Sequence, residues 1–163
     1  MGCSNSTNTT SYIMVMSKFY AYDEICLEEH NLKRDLHDSP HLLKNEQLCN
    51  LAEKCALELS KNENNINYIY KDEFLGQNIY IYKGNNLNIR NIFNEWYEEI
   101  KYYNSNLNKF QKNSSHFTQM IWKETKEIGF GYIERGDTFY AVALYYPPGN
   151  TFGEFKNNVI IKQ

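Results

Sequence analysis

Glu99 and His116 are the residues of this 163-residue chain whose types and surroundings could do chemistry. Glu99 lies three residues after Trp96, seven after Ile92 and four before Tyr103, on the apolar stripe of a helical pattern. A carboxylate there has to be hydrogen-bonded, ion-paired or facing a cleft, because burying it alone is costly. His116 can supply the partner. Such a pair is half of a metal site, since a divalent cation takes roughly three or four ligands from His, Cys and carboxylate. It is also half of a hydrolase triad. Ser114, Ser115 and Thr118 are the nearby hydroxyls, but no nucleophile-elbow pattern surrounds them, and Ser114 and Ser115 read as helix N-caps. The remaining reading is structural: a hydrogen-bonded pair that closes a cleft.

Periodicity supplies the elements that must position the pair. A first helix is predicted over about 17–38, with Tyr22, Ile25, Cys26, Glu29, Leu32 and Leu36 near one face, Ser17 as N-cap and Pro40 as its stop. A second spans about 45–61, aligning Leu48, Leu51, Ala52, Cys55 and Leu59. The third, about 87–103, carries the cleanest stripe: Ile89, Ile92, Phe93, Trp96, Ile100 and Tyr103. A short helix starting at Ser114 or Ser115 carries His116 to Trp122. Strands over 128–134 and 138–146 are joined through Arg135-Gly136-Asp137 as a hairpin. Pro147-Pro148-Gly149-Asn150 reads as a turn in which Gly149 takes an unusual φ and Asn150 bonds the backbone. The tail, 151–163, is left as a final strand or a cover for the sheet. With no repeat and no linker, the expectation is one α+β domain over 17–163 behind a flexible leader, 1–16.

The bulk composition narrows the function classes. A 42% apolar and 23% charged chain is ordinary for a globular protein, and 14 tyrosines within a 15% aromatic share point to a core and cleft built from rings with polar tips. A net charge of -3 offers no basic field for nucleic acid or anionic lipid. Asparagine runs such as Asn62-Glu63-Asn64-Asn65 read as compositional drift in loops. Cys26, Cys49 and Cys55 sit at apolar positions of helical patterns, where a reduced thiol behaves as a small hydrophobe, so a reducing compartment is expected.

Met1-Gly2-Cys3-Ser4-Asn5-Ser6 fits the M-G-x-x-x-[ST] pattern for N-myristoylation of Gly2, and Cys3 is placed for S-palmitoylation. One myristoyl chain binds membranes only reversibly, on the order of 10⁴ M⁻¹, so stable anchoring needs a second signal. Lys18 is the only cation in the first twenty residues, which leaves a second acyl chain on Cys3 as that signal. No signal-peptide core and no membrane-spanning run is visible.

The segment His116-Phe117-Thr118-Gln119-Met120-Ile121-Trp122, followed by Tyr145-Tyr146-Pro147-Pro148-Gly149-Asn150, resembles the paired signatures of the CAP superfamily of cysteine-rich secretory, antigen 5 and pathogenesis-related class 1 proteins. His30-Asn31, Arg34, His37 and Pro40 resemble its first-helix pattern, Gly76-Gln77-Asn78-Ile79 its Gly-Glu-Asn-Leu segment, and Trp96-Tyr97-Glu98-Glu99 its Trp-Tyr-x-Glu motif. The resemblance covers roughly 17–158 and implies an α-β-α sandwich, a small antiparallel sheet between helical layers. It also implies capping and packing roles for His30, His37 and His41. Within the superfamily the resemblance is to the Golgi-associated pathogenesis-related branch, because Ala143 stands where secreted relatives carry a cysteine and an acylation motif replaces a signal peptide.

The family cleft carries two histidines and two glutamates. His116 and Glu99 match two of these positions; the third is Gln77, and the stretch where the second histidine should fall, 66–70, holds none. No tight zinc site and no other cofactor is therefore expected. The family's lipid theme, which includes sterols, points to Tyr68, Tyr70, Phe74, Tyr80 and Tyr82 as a lipid-contacting surface, with an aromatic-rich core edge as the alternative. With a pI of about 5.8, membrane contact is expected to rest on the acyl chains. The implied function is a non-enzymatic, membrane-anchored domain that binds lipid or a protein partner at the cytoplasmic face of a membrane. A hydrolase using Glu99 and His116, and a secreted effector, are the alternatives. Self-association into a homodimer is a further expectation from the family.

Overall fold

The computed structural model describes residues 22–62 and 74–162. Its centre is the near-continuous apolar run Phe139-Tyr140-Ala141-Val142-Ala143-Leu144-Tyr145, all of it buried, as befits a strand with helices on both faces. This strand, Thr138–Tyr146 (β4), turns through Gly136-Asp137 to pair antiparallel with Glu127–Arg135 (β3), Gly136 taking a φ of 63°. On its other side β4 pairs antiparallel with Gly76–Lys83 (β2). Leu43–Lys44 (β1) adds a short parallel pairing to β3, giving the order β1-β3-β4-β2. The two-residue β1 has too little sequence to show a pattern and was not anticipated.

Glu46–Lys61 (α2) covers one face of the sheet. Asn45 caps it, its side chain accepting from the N–H groups of Gln47 and Leu48. Leu48, Ala52, Cys55, Ala56 and Leu59 then pack on Tyr140, Val142 and Leu144. The close approach depends on Gly129 and Gly131, where a Cβ would collide with the α2 backbone at Leu48 and Cys49, and at Ala52 and Glu53. The opposite face is covered by the helix at residues 22–35 (α1), Ile89–Glu98 (α3) and Ser115–Ile121 (α4), enclosing Phe93, Trp96, Phe117, Met120, Trp122 and Phe130. The result is the expected α-β-α sandwich.

Two expectations need correcting. The tail forms no strand: it closes the core with the single helical turn Phe155–Asn158 (α5), Phe155 meeting Trp122 edge-on at 5.1 Å. The expected inward face of α1 holds only in its first half, where Tyr22, Ile25, Cys26 and Glu29 pack inward. Leu32 and Leu36 are exposed, while His30, Arg34 and His37 are buried with Cys26 and Glu29. The polar face goes inward because its groups find partners there. The Arg34 guanidinium donates to four carbonyls, those of Pro40 (2.6 Å), Met120 (3.0 Å), Trp122 (2.8 Å) and Thr125 (3.0 Å). Three of these lie at or just beyond the C-terminal end of α4, where the helix dipole favours a cation. Residues 17–21, with the Ser17 cap, lie outside the described residues.

Candidate functional site

The site forms where the end of α3 meets the start of α4. After Glu98 the chain tightens into a 3-10 turn, Glu99–Tyr102, and Glu99 accepts three hydrogen bonds across that junction. His116 Nδ1–H donates to Oε1 at 2.6 Å, and the backbone N–H groups of His116 and Phe117 donate to Oε2 at 2.9 and 3.3 Å. First-turn amides have no acceptor within their own helix. Glu99 therefore serves as the α4 cap from a different helix. The expected serine caps are corrected: Ser114 Oγ donates to Gln111 O and Ser115 Oγ to Lys112 O, and neither caps α4.

The His116 ring lies stacked on Trp96, centroids 5.8 Å apart and planes 16° from parallel. Both Glu99 and His116 are part-buried. With Nδ1 held by Glu99, the ring faces outward through Nε2, which makes no hydrogen bond to another described residue. Beneath it, Trp96 Nε1 is buried without a hydrogen-bond partner.

Behind the pair runs a directed chain of hydrogen bonds. Asn78 Nδ2 donates to His116 O and to Tyr145 Oη, both at 3.1 Å. The Cys26 carbonyl can only accept, so His30 carries its proton on Nδ1 (2.7 Å to Cys26 O) and its Nε2 accepts from Tyr145 Oη at 2.8 Å. Burial lowers the His30 pKa to about 3, which keeps the ring neutral. His37 is arranged alike, Nδ1 donating to Ile160 O and Nε2 accepting from Tyr97 Oη, and burial lowers its pKa too. His30 and His37 thus pack as expected, whereas His41 is exposed and bonded to Asp35.

The turn after β4 is held by the same helix. Buried Gln119 accepts from Gly149 N at 2.9 Å, and Thr118 Oγ1 donates to Asn150 Oδ1. Asn150, not Gly149, takes the left-handed conformation, at φ 58°. Gly149 is needed for space, because a Cβ there would press on the Gln119 amide. Asn150 does bond the backbone as expected, through Nδ2 to Ser115 O.

The structure does not bring Gln77 to the pair. It is exposed, and its register partner Leu144 belongs to the α2 side of the sheet, whereas Asn78 pairs with Ala143 on the His116 side. Tyr80 and Tyr82 are half-buried against the core, Tyr80 donating to Glu95 at 2.9 Å, and Phe74 is exposed. Tyr68, Tyr70, Gly2 and Cys3 lie outside the described residues. Among the described residues, no group of three or more His, Cys, Asp or Glu gathers as metal ligands, and both Glu99 oxygens already accept protein hydrogen bonds. Of the four ligands of the family cleft, the described residues supply His116 and Glu99. Cys26, Cys49 and Cys55 are free and buried.

Asn78, Tyr145 and Arg34 are the supporting residues that periodicity overlooked.

Residues 27–146 match the family model described as the CAP, or cysteine-rich secretory protein, family. Protein PRY2 of Saccharomyces cerevisiae is 31% identical over 137 residues, covering 82% of this chain and 40% of that protein. The human Golgi-associated plant pathogenesis-related protein 1 is 39% identical over 74 residues, 44% of this chain and 48% of that protein. The matches thus span about half the length, or less, of these curated relatives. Among solved structures, the Schistosoma mansoni venom allergen-like protein 4 superposes with a TM-score of 0.57 at 27% identity, over 83% of this chain and 88% of that one.

Proposed function

The chain belongs to the CAP family, and from that premise we propose that it is a membrane-anchored, non-enzymatic binding domain that engages lipid or a protein partner at the cytoplasmic face of a membrane. The observation that carries the binding reading is the occupancy of Glu99. A carboxylate that accepts two helix amides and one imidazole N–H is a structural fixture, and it leaves His116 Nε2 without a hydrogen bond to a described residue. Among the described residues no hydroxyl is hydrogen-bonded to that ring: Ser114, Ser115 and Thr118 donate to Gln111 O, Lys112 O and Asn150 Oδ1. Hydrolysis would need a nucleophile in hydrogen-bond reach of the base.

The anchor rests on Gly2 and Cys3, and the Golgi association in a relative's name agrees with a membrane address. In cells fed an alkyne myristate, the protein is expected to label at Gly2 and partition with membranes, while Gly2→Ala abolishes both. Cys3→Ser is expected to leave labelling intact and lower membrane retention at least about tenfold, since a second acyl chain contributes about 0.8 kcal/mol per buried methylene. An unlabelled Gly2 in the natural protein would sink the anchored reading.

A further inference from the structure

Two loops meet at Asn108, whose side chain donates to Gly153 O at 2.6 Å and accepts from Lys156 N at 3.1 Å. The first loop is itself closed by Gln111, which accepts from Asn104 N and donates to Asn104 O. Around this joint the chain exposes large apolar side chains that a folded surface usually hides. Phe152, next to Gly153, is 86% exposed, Phe110 51% and Tyr102 59%. The same loops are cationic although the chain carries a net charge of -3. No acidic residue occurs between Glu99 and Glu124, whereas Lys101, Lys109 and Lys112 fall in the first part of that interval. Lys156 adds a fourth cation from α5, just after the second loop, with Glu154 as the nearby acid, its carboxylate accepting from Asn157 Nδ2. None of these four lysines forms an ion pair with a described residue.

We propose that this face docks on an anionic lipid bilayer, with Phe152 and Phe110 entering the interfacial layer and the four lysines meeting headgroup charge. Protruding rings set among lysines that form no ion pair with a described residue, Lys101 lying over the Tyr102 ring at 5.1 Å, suit a fluid surface that closes around them, and anionic leaflets attract clustered lysines near the membrane. A protein partner would instead have to supply a pocket for each ring. The inference deepens the membrane reading above by adding an orientation to it. It is tested without the acyl anchor, so the two fail separately.

The full chain carrying Gly2→Ala is sedimented with vesicles of phosphatidylcholine, alone or mixed with phosphatidylserine. Binding is expected to be about tenfold stronger with phosphatidylserine and to weaken as salt rises. The double variants Phe110→Ser with Phe152→Ser, and Lys109→Glu with Lys112→Glu, should each lose about tenfold. Lys54→Glu with Lys83→Glu, which changes net charge equally on other surfaces, should keep binding intact. A Phe152→Trp variant should show a blue-shifted emission on phosphatidylserine vesicles, because Trp96 and Trp122 are buried and give no such change. No binding to phosphatidylserine vesicles, binding unaffected by the loop substitutions, or an equal loss in the control pair overturns the proposal. If Gly2 still labels in cells, the anchored reading survives that failure.

Discussion

Glu99 shows how one side chain can serve the fold and the cleft together. Its three accepted hydrogen bonds rank in a testable order, because two charge-assisted bonds to helix amides outweigh one contact with a half-open ring. Glu99→Ala is expected to lower unfolding free energy by about 2 kcal/mol, and His116→Ala by less, since the amides keep their carboxylate in the second variant. Urea midpoints at unchanged slope would measure both. The reverse ranking would mean that ring pairing, not helix capping, is the main duty of Glu99. The sequence made Glu99 visible, because a carboxylate on an apolar stripe demands a partner. Its capping duty was hidden, because that depends on α4 arriving from the far side of a loop. Gln77 misled for a related reason: a motif position names a residue, while strand alternation decides which face it occupies.

Among the elements, those with a strong period were legible and those held by single contacts were not. α2, the hairpin and most of α3 follow their apolar patterns closely. α1 was read correctly as a helix, with the inward side right at Tyr22, Ile25, Cys26 and Glu29 but wrong at Leu32 and Leu36, since apolar periodicity cannot foresee that four carbonyls wait for Arg34. The β3 glycines illustrate another constraint that only packing reveals. Gly131→Ala is expected to destabilise by about 3 kcal/mol, because its methyl group would force α2 off the sheet. Gly136→Ala, at the open hairpin tip, should cost only about 1 kcal/mol, from its positive φ. Thermal melts of the two variants distinguish the causes: similar losses would refute the close-approach explanation.

At the scale of the whole molecule, buried titratable groups set the response to acid. His30 and His37 are held neutral by burial, while the unfolded chain protonates them near pH 6.5. Their contribution is complete above that pH and is lost as pH falls, by about 2 kcal/mol for His30 between pH 6.5 and 5. Asp23 opposes this. Burial raises its pKa to about 6, so the folded chain keeps a proton that the unfolded chain releases near 3.8. Its contribution is present below 3.8 and disappears as pH rises through about 6. Asp23→Asn should therefore make stability fall more steeply between pH 7 and 5, as read by urea unfolding at each pH. An unchanged slope would show that Asp23 does not offset the histidines. Whole-chain quantities also concealed what local ones reveal, since a net charge of -3 gives no hint of four lysines around one joint that form no ion pair with a described residue. The row from Asn78 through Tyr145 and His30 to Cys26 O has a further consequence, for descent rather than stability. Each hydrogen in it points one way, so exchanging any link alone strands a buried neighbour. The side chains at 78, 145 and 30 are thus expected to change together among descendants of this chain, which a comparison of related sequences at the three positions would check.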